Sequence, residues 1–237
     1  MHVLETENFI FYTAGKIGTR TLLTVPGIID ISQNQKYTDP LRKRNLELAI
    51  QRKEITGKQI VAVIREPQSR MYSGLFEIIA KIVSGPFIQE MSAQDADLSF
   101  LEEISFWSRM LGRCMKMSPR LWNPEKEFDS HRWQYHVGNW LVDVETISEI
   151  FEDTIILNLS DLSEFLTSNS IEFSYTNKFS NVLPNNSSAD SVKIYDAFKF
   201  AVDSFSTRTD NIQNYLQSEI YWYNILINKA QYYGTGN

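Results

Sequence analysis

Two short stretches of this sequence combine residue types that bind small anions. The first is Ala14-Gly15-Lys16-Ile17-Gly18-Thr19-Arg20-Thr21-Leu22-Leu23, where glycines, a lysine and hydroxyl residues crowd into a few positions. Gly18 lets the backbone approach a ligand closely, and the amides of 18–21 would open a helix with their N–H groups unpaired. Lys16 adds a mobile point charge. A tight turn whose lysine points to water is the competing reading. The spacing departs from the magnesium-nucleotide loop, in which four residues separate the first glycine from Gly-Lys-Ser/Thr. Here Gly15-Lys16 is followed by Ile17, so the hydroxyl that would hold magnesium is missing.

The second stretch is Arg65-Glu66-Pro67-Gln68-Ser69-Arg70-Met71-Tyr72-Ser73. Proline is well placed as the first residue of a helix, and on that helix Arg70 and Ser73 are neighbours three residues apart. A guanidinium before the helix and a hydroxyl on it suit a terminal phosphate, Arg65 giving a forked donor and Ser73 a single short bond. Arg70 is expected to play a structural part, pairing with a carboxylate such as Glu66 or Glu77.

Both stretches need strands and helices to bring them together. Residues 8–13, 59–64 and 154–159 are short apolar runs rich in β-type residues, and their near-continuous apolarity predicts strands covered on both faces. Helical periodicity marks about 40–53, 67–83, 97–117, 143–152, 190–206 and 209–233, with Asp97 as a cap for a helix from Leu98. Ile212, Tyr215, Leu216, Ile220, Tyr223 and Ile227 form one stripe of the last helix. Strands alternating with helices predict an α/β fold. Its central sheet is expected to be mainly parallel and flanked by helices, opening with a P-loop-like strand-loop-helix and binding ligands at the strands' carboxyl ends.

The bulk properties narrow the function. Of the 237 residues, 43% are hydrophobic and 13% aromatic, enough for one globular domain over 1–237. A net charge of −6 argues against a broad surface for nucleic acid or anionic membrane, so any anion must be held in a local pocket. Cys114 is the single cysteine, which excludes an intramolecular disulfide and a thiolate metal cluster; it reads as a buried small hydrophobe. The start of the chain is polar and no apolar run reaches the length of a membrane span, so a cytoplasmic location is expected. No internal repeat is present, and 185–191 reads as a polar loop.

With these residues in view, Lys16 to Leu23 resembles the 5′-phosphosulfate loop of sulfotransferases that use 3′-phosphoadenosine 5′-phosphosulfate. Arg65 to Ser73 resembles the Arg-x-Pro-x-x-Arg-x-x-Ser element with which that family binds the 3′-phosphate. Asp129-Ser130-His131-Arg132-Trp133-Gln134 is similar to the Asp-x-His-Trp-x-Pro-Gln neighbourhood of its carbohydrate-specific members, although the proline is missing here. Residues 140–166 resemble a later strand and helix, and Asn177-Lys178-Phe179-Ser180 an Asn-Lys-x-Ser segment.

The resemblance implies a donor site made by Lys16, Ile17, Gly18, Thr19, Arg20, Thr21, Arg65 and Ser73, and a metal-free reaction. It also implies in-line attack by an acceptor hydroxyl or amine on sulfur, with adenosine 3′,5′-bisphosphate as the product and a small molecule or carbohydrate as acceptor. Lys16 and the loop amides would stabilise the charge growing on the bridging oxygen. The family takes its base from a histidine or a carboxylate, and His131 is preferred over His2 and His136 because it lies in the matching stretch. Asp30, Asp39 and Glu47 are held in reserve, each being more commonly a solvated carboxylate. Trp107, Trp122, Trp133, Tyr135 and Trp140 could stack on a sugar or on adenine, although aromatics at this density usually fill a core. A magnesium-dependent kinase and a non-catalytic nucleotide-binding module are the rival readings.

Overall fold

The computed structural model describes residues 1–32, 39–79, 99–117, 140–174, 190–206 and 210–230. Five strands form one sheet: β1 (His2–Glu5), β2 (Phe9–Thr13), β3 (Ile29–Asp30), β4 (Gln59–Ile64) and β5 (Ile155–Asn158), in the order β3-β1-β2-β4-β5. Around it lie α1 (Thr19–Leu22), α2 (Asp39–Thr56), α3 (Pro67–Ile78), α4 (Ile104–Met117), α5 (Leu141–Ile150), α6 (Leu162–Ser168), α7 (Ser191–Ser206) and α8 (Asp210–Ile227). Short 3-10 turns occupy Ser99–Glu102 and Leu159–Asp161.

The three strands expected from apolarity are β2, β4 and β5, and they pair in parallel. All five residues of β2 are buried, as are the last five of β4. Side chains alternate across β2. Phe9 and Phe11 meet Phe165 of α6 edge-on, at ring-centroid distances of 5.2 and 6.2 Å. Tyr12 faces the other way, where it meets Trp140 at 6.4 Å and its hydroxyl donates to Asp143 at 3.2 Å. Helices on both faces explain why these strands read as unbroken apolar runs.

The sheet is mixed. The opening residues, which read as a polar lead-in, form β1, antiparallel to both β2 and β3. A tight hairpin makes this possible, since the Thr6 amide donates to the Phe9 carbonyl at 2.9 Å and the Phe9 amide to the Thr6 hydroxyl at 3.1 Å. Glu5 hides the strand from a hydropathy reading. It is only 5% exposed because Arg52 and Lys58 close on its carboxylate at 2.5 and 2.7 Å.

The start of α3 follows its sequence signal. Glu66 caps α3, its carboxylate accepting from the amides of Gln68 and Ser69 at 2.9 and 2.6 Å, with Pro67 at the first helical position. The segment from 97 is different. Asp97 and Leu98 lie outside the described residues, and Ser99–Glu102 is a 3-10 turn ahead of α4. Phe76 of α3, Trp107 of α4 and Phe198 of α7 interlock with centroid distances of 5.1 to 5.4 Å. Among the described residues, no helix is long and apolar enough to cross a membrane.

Candidate functional site

β2 and β4 are parallel neighbours with Tyr12 opposite Ala62, so the segments leaving Thr13 and Ile64 emerge side by side at the carboxyl edge of the sheet. The loop after β2 closes mainly on itself. The Thr13 hydroxyl donates to the Ile17 carbonyl at 2.6 Å, the Thr19 hydroxyl to the Ala14 carbonyl at 2.9 Å, and the Ile17 amide to the same Ala14 carbonyl at 3.3 Å. Ile17 is fully buried, a core residue whose backbone groups serve the loop.

Lys16 and Gly18 both take φ of 69°, a left-handed conformation that costs a lysine and suits a glycine. At Gly18 a Cβ would stand 2.6 Å from Leu162 Cδ2 and 2.9 Å from Leu159 Cδ1. Glycine is therefore demanded here by handedness and by the turn after β5, which presses on the loop from one side. Among the described residues, the amides of Gly18, Thr19 and Thr21 donate to no backbone carbonyl. Arg20 is exposed and Thr21 half-buried at the start of the single-turn α1.

The second stretch lies directly against the first. Arg65 Nη1 donates to the Lys16 carbonyl at 2.9 Å, and the Arg65 guanidinium also bonds the Tyr195 hydroxyl of α7. Burial lowers the Arg65 pKa from its ordinary value, an effect opposed by Tyr195 and Glu66, while burial raises that of Tyr195. Two contacts thus fix the direction of the guanidinium.

On α3, residues 70, 73 and 77 follow the i, i+3, i+7 spacing of one face, and both outer members touch the loop. Arg70 Nε donates to the Gly15 carbonyl at 3.4 Å. Glu77 pairs with the Lys16 ammonium through Oε2, and its Oε1 lies 3.7 Å from Arg20 Nη2. Ser73, half-buried, lies between them on that face of α3. The structure thus brings Lys16, Arg20 and Arg65 to one corner of the molecule, with Ser73 on the α3 face that carries Arg70 and Glu77.

Arg70 has a structural role, but with a different partner from those expected. Glu66 is occupied as a helix cap and Glu77 by Lys16. Arg70 instead pairs with Glu219 of α8 at 3.9 Å, with both side chains almost fully buried, and stands 5.8 Å over the Trp140 ring. Sequence reasoning also missed Glu77 as the partner of Lys16 and Tyr195 as the partner of Arg65. The helical stripe from Arg70 could have pointed to Glu77. No local signal marks Tyr195, which comes from a helix 130 residues further on.

The remaining candidates fall into two groups, those outside the described residues and those elsewhere in the fold. His131, its similar stretch 129–134, Trp122, Trp133, Tyr135, His136 and 177–180 lie outside the described residues. Asp30 is at the sheet edge, aligned with Leu4 and hence level with Phe11 rather than with the loop. Burial opposes its charge, yet Ser32 and the His2 ring hold its carboxyl below the usual value. Asp39 begins α2 and Glu47 is exposed along it. Trp107 and Trp140 are buried, the Trp107 indole donating to the Leu101 carbonyl at 2.7 Å, so both are core residues. Among the described residues, no group of three or more His, Cys, Asp or Glu side chains could hold a metal ion.

No protein-family model, curated protein or solved structure matches the chain.

Proposed function

We propose that the chain transfers a sulfuryl group from 3′-phosphoadenosine 5′-phosphosulfate to a hydroxyl or amine of a small-molecule or carbohydrate acceptor in the cytoplasm. The observation that carries this reading is the 2.9 Å contact between Arg65 and the Lys16 carbonyl. Two cationic elements 49 residues apart in sequence meet at the carboxyl ends of adjacent parallel strands. One nucleotide could touch both.

The residues present fit such a donor. Lys16, Arg20 and the amides of Gly18, Thr19 and Thr21 would hold the phosphosulfate end, and Arg65 with Ser73 the 3′-phosphate. When bound, the donor supplies the sulfuryl group and a stable bisphosphate leaving group. Lys16 offsets negative charge on the leaving oxygen, and the closed loop keeps its amides aimed without reorganisation. Arg65, braced by Tyr195, orients the nucleotide. The acceptor's proton requires a base, for which His131 is the candidate.

The test is a thermal shift with adenosine 3′,5′-bisphosphate against adenosine 5′-monophosphate. At a hundred times its Kd, the bisphosphate should stabilise the chain by about 2.7 kcal/mol. The monophosphate should do markedly less, and Arg65→Ala should lose the difference. A larger shift with magnesium ATP than with the bisphosphate would favour a kinase and overturn the proposal.

A further inference from the structure

We infer that Glu77 is an internal anion standing where a ligand's sulfuryl or phosphate group would lie against Lys16 and Arg20, so that the loop after β2 takes up its ligand by exchanging one anion for another. This regulates the same corner, and it rests on the nucleotide reading only for the identity of the incoming group.

The geometry is that of an occupied anion site. One carboxylate presents Oε2 to the Lys16 ammonium and Oε1 to the Arg20 guanidinium, bridging the two cations as an oxyanion would. Lys16 and Glu77 are each less than one-fifth exposed, so water and salt screen their attraction incompletely. Glu77 arrives from α3 rather than from the loop, one turn beyond Ser73, on the face whose Arg70 touches the Gly15 carbonyl. The loop's own fold leans on Thr13, Thr19 and the leucines under Gly18, none of which involves Glu77. The carboxylate can therefore leave while the loop keeps its shape.

Two consequences follow from exchange. An anion entering this corner must displace Glu77 from Lys16, which weakens its binding. Once displaced, Glu77 remains tethered a side chain's length away and repels the bound anion, which favours release.

The experiment titrates the full chain with inorganic sulfate at constant ionic strength, in the wild type, in Glu77→Gln, and in Glu77→Gln combined with Lys16→Ala. Sulfate should bind Glu77→Gln about tenfold more tightly than wild type, with that gain gone in the double variant. Equal or weaker sulfate binding by a folded Glu77→Gln overturns the inference. A second measurement needs no substitution: in wild-type chain carrying carbon-13 in its glutamate carboxyls, saturating sulfate should move the Glu77 resonance, and an unmoved resonance overturns the inference. A parallel titration with adenosine 3′,5′-bisphosphate separates the two claims. If the bisphosphate binds neither protein while the sulfate gain persists, the nucleotide reading fails and anion exchange is supported.

Discussion

The same three charges, one carboxylate between an arginine and a lysine, occur at two ends of the parallel strands. At the amino end, Glu5 is held by Arg52 and Lys58; at the carboxyl end, Glu77 is held by Arg20 and Lys16. The supports differ. Arg52 lies in the last turns of α2 and grips Glu5 through both Nε and Nη2, while Lys58 stands at the threshold of β4 and also donates to the Thr6 carbonyl at 2.7 Å. Every member of that group sits on or beside a regular element, and together they clasp the β1–β2 hairpin to α2 and β4. Lys16 instead hangs from a loop in left-handed conformation, beside the Gly18, Thr19 and Thr21 amides, which among the described residues donate to no backbone carbonyl. The charge inventories of the two groups match; the backbones that carry them differ.

Substituting the lysine on the loop should break the comparison most sharply. Lys16→Ala is expected to lower sulfuryl release from labelled 3′-phosphoadenosine 5′-phosphosulfate by about 10²–10³-fold. Its unfolding midpoint in urea should move by less than about 1 kcal/mol equivalent, because the exposed Arg20 still faces Glu77. A loss of stability without loss of turnover would make the two triads alike.

The reverse pattern is expected at the other end. Glu5→Gln leaves two cations facing a buried neutral amide and should cost about 1–3 kcal/mol of stability in denaturant titration, with sulfuryl release unchanged. Acid sharpens the contrast. Burial raises the Glu5 pKa, but bonds from Lys58 and Arg52 outweigh it and leave the folded value below the ordinary 4.5. The stabilisation is therefore present above pH 4.5 and is lost as pH falls through the lower folded value. Wild-type stability should decline across that window, and Glu5→Gln should show less of the decline.

The smallest effect is expected at Tyr195. Tyr195→Phe removes the hydroxyl that braces Arg65 while leaving its bond to the Lys16 carbonyl. Calorimetry should show bisphosphate affinity falling about threefold to tenfold, with the unfolding midpoint nearly constant. An unchanged affinity would mean that the Lys16 contact alone orients the guanidinium.

Much of this is readable in the sequence. Continuous apolarity located β2, β4 and β5, and Glu66-Pro67 located the start of α3, because both signals concern residues close in sequence. The glycine, cationic and hydroxyl composition of 14–21 and 65–73 is likewise visible. What failed to show was any feature whose cause lies far along the chain. The β1 strand was hidden because Glu5 looks solvated until Arg52 and Lys58 neutralise it. Arg70 was expected to find a carboxylate on its own helix; those carboxylates are engaged elsewhere, and its partner is Glu219 on α8.

By itself the sequence determined local pieces: the three parallel strands β2, β4 and β5, where α3 begins, and two short stretches rich in glycine, cationic and hydroxyl residues. Tertiary structure alone decided that β2 and β4 lie side by side in parallel, which sets Lys16 against Arg65 and Glu77. The physical reason is that backbone propensity and apolar period act over a few residues, whereas the choice of partner for a charge depends on strand order.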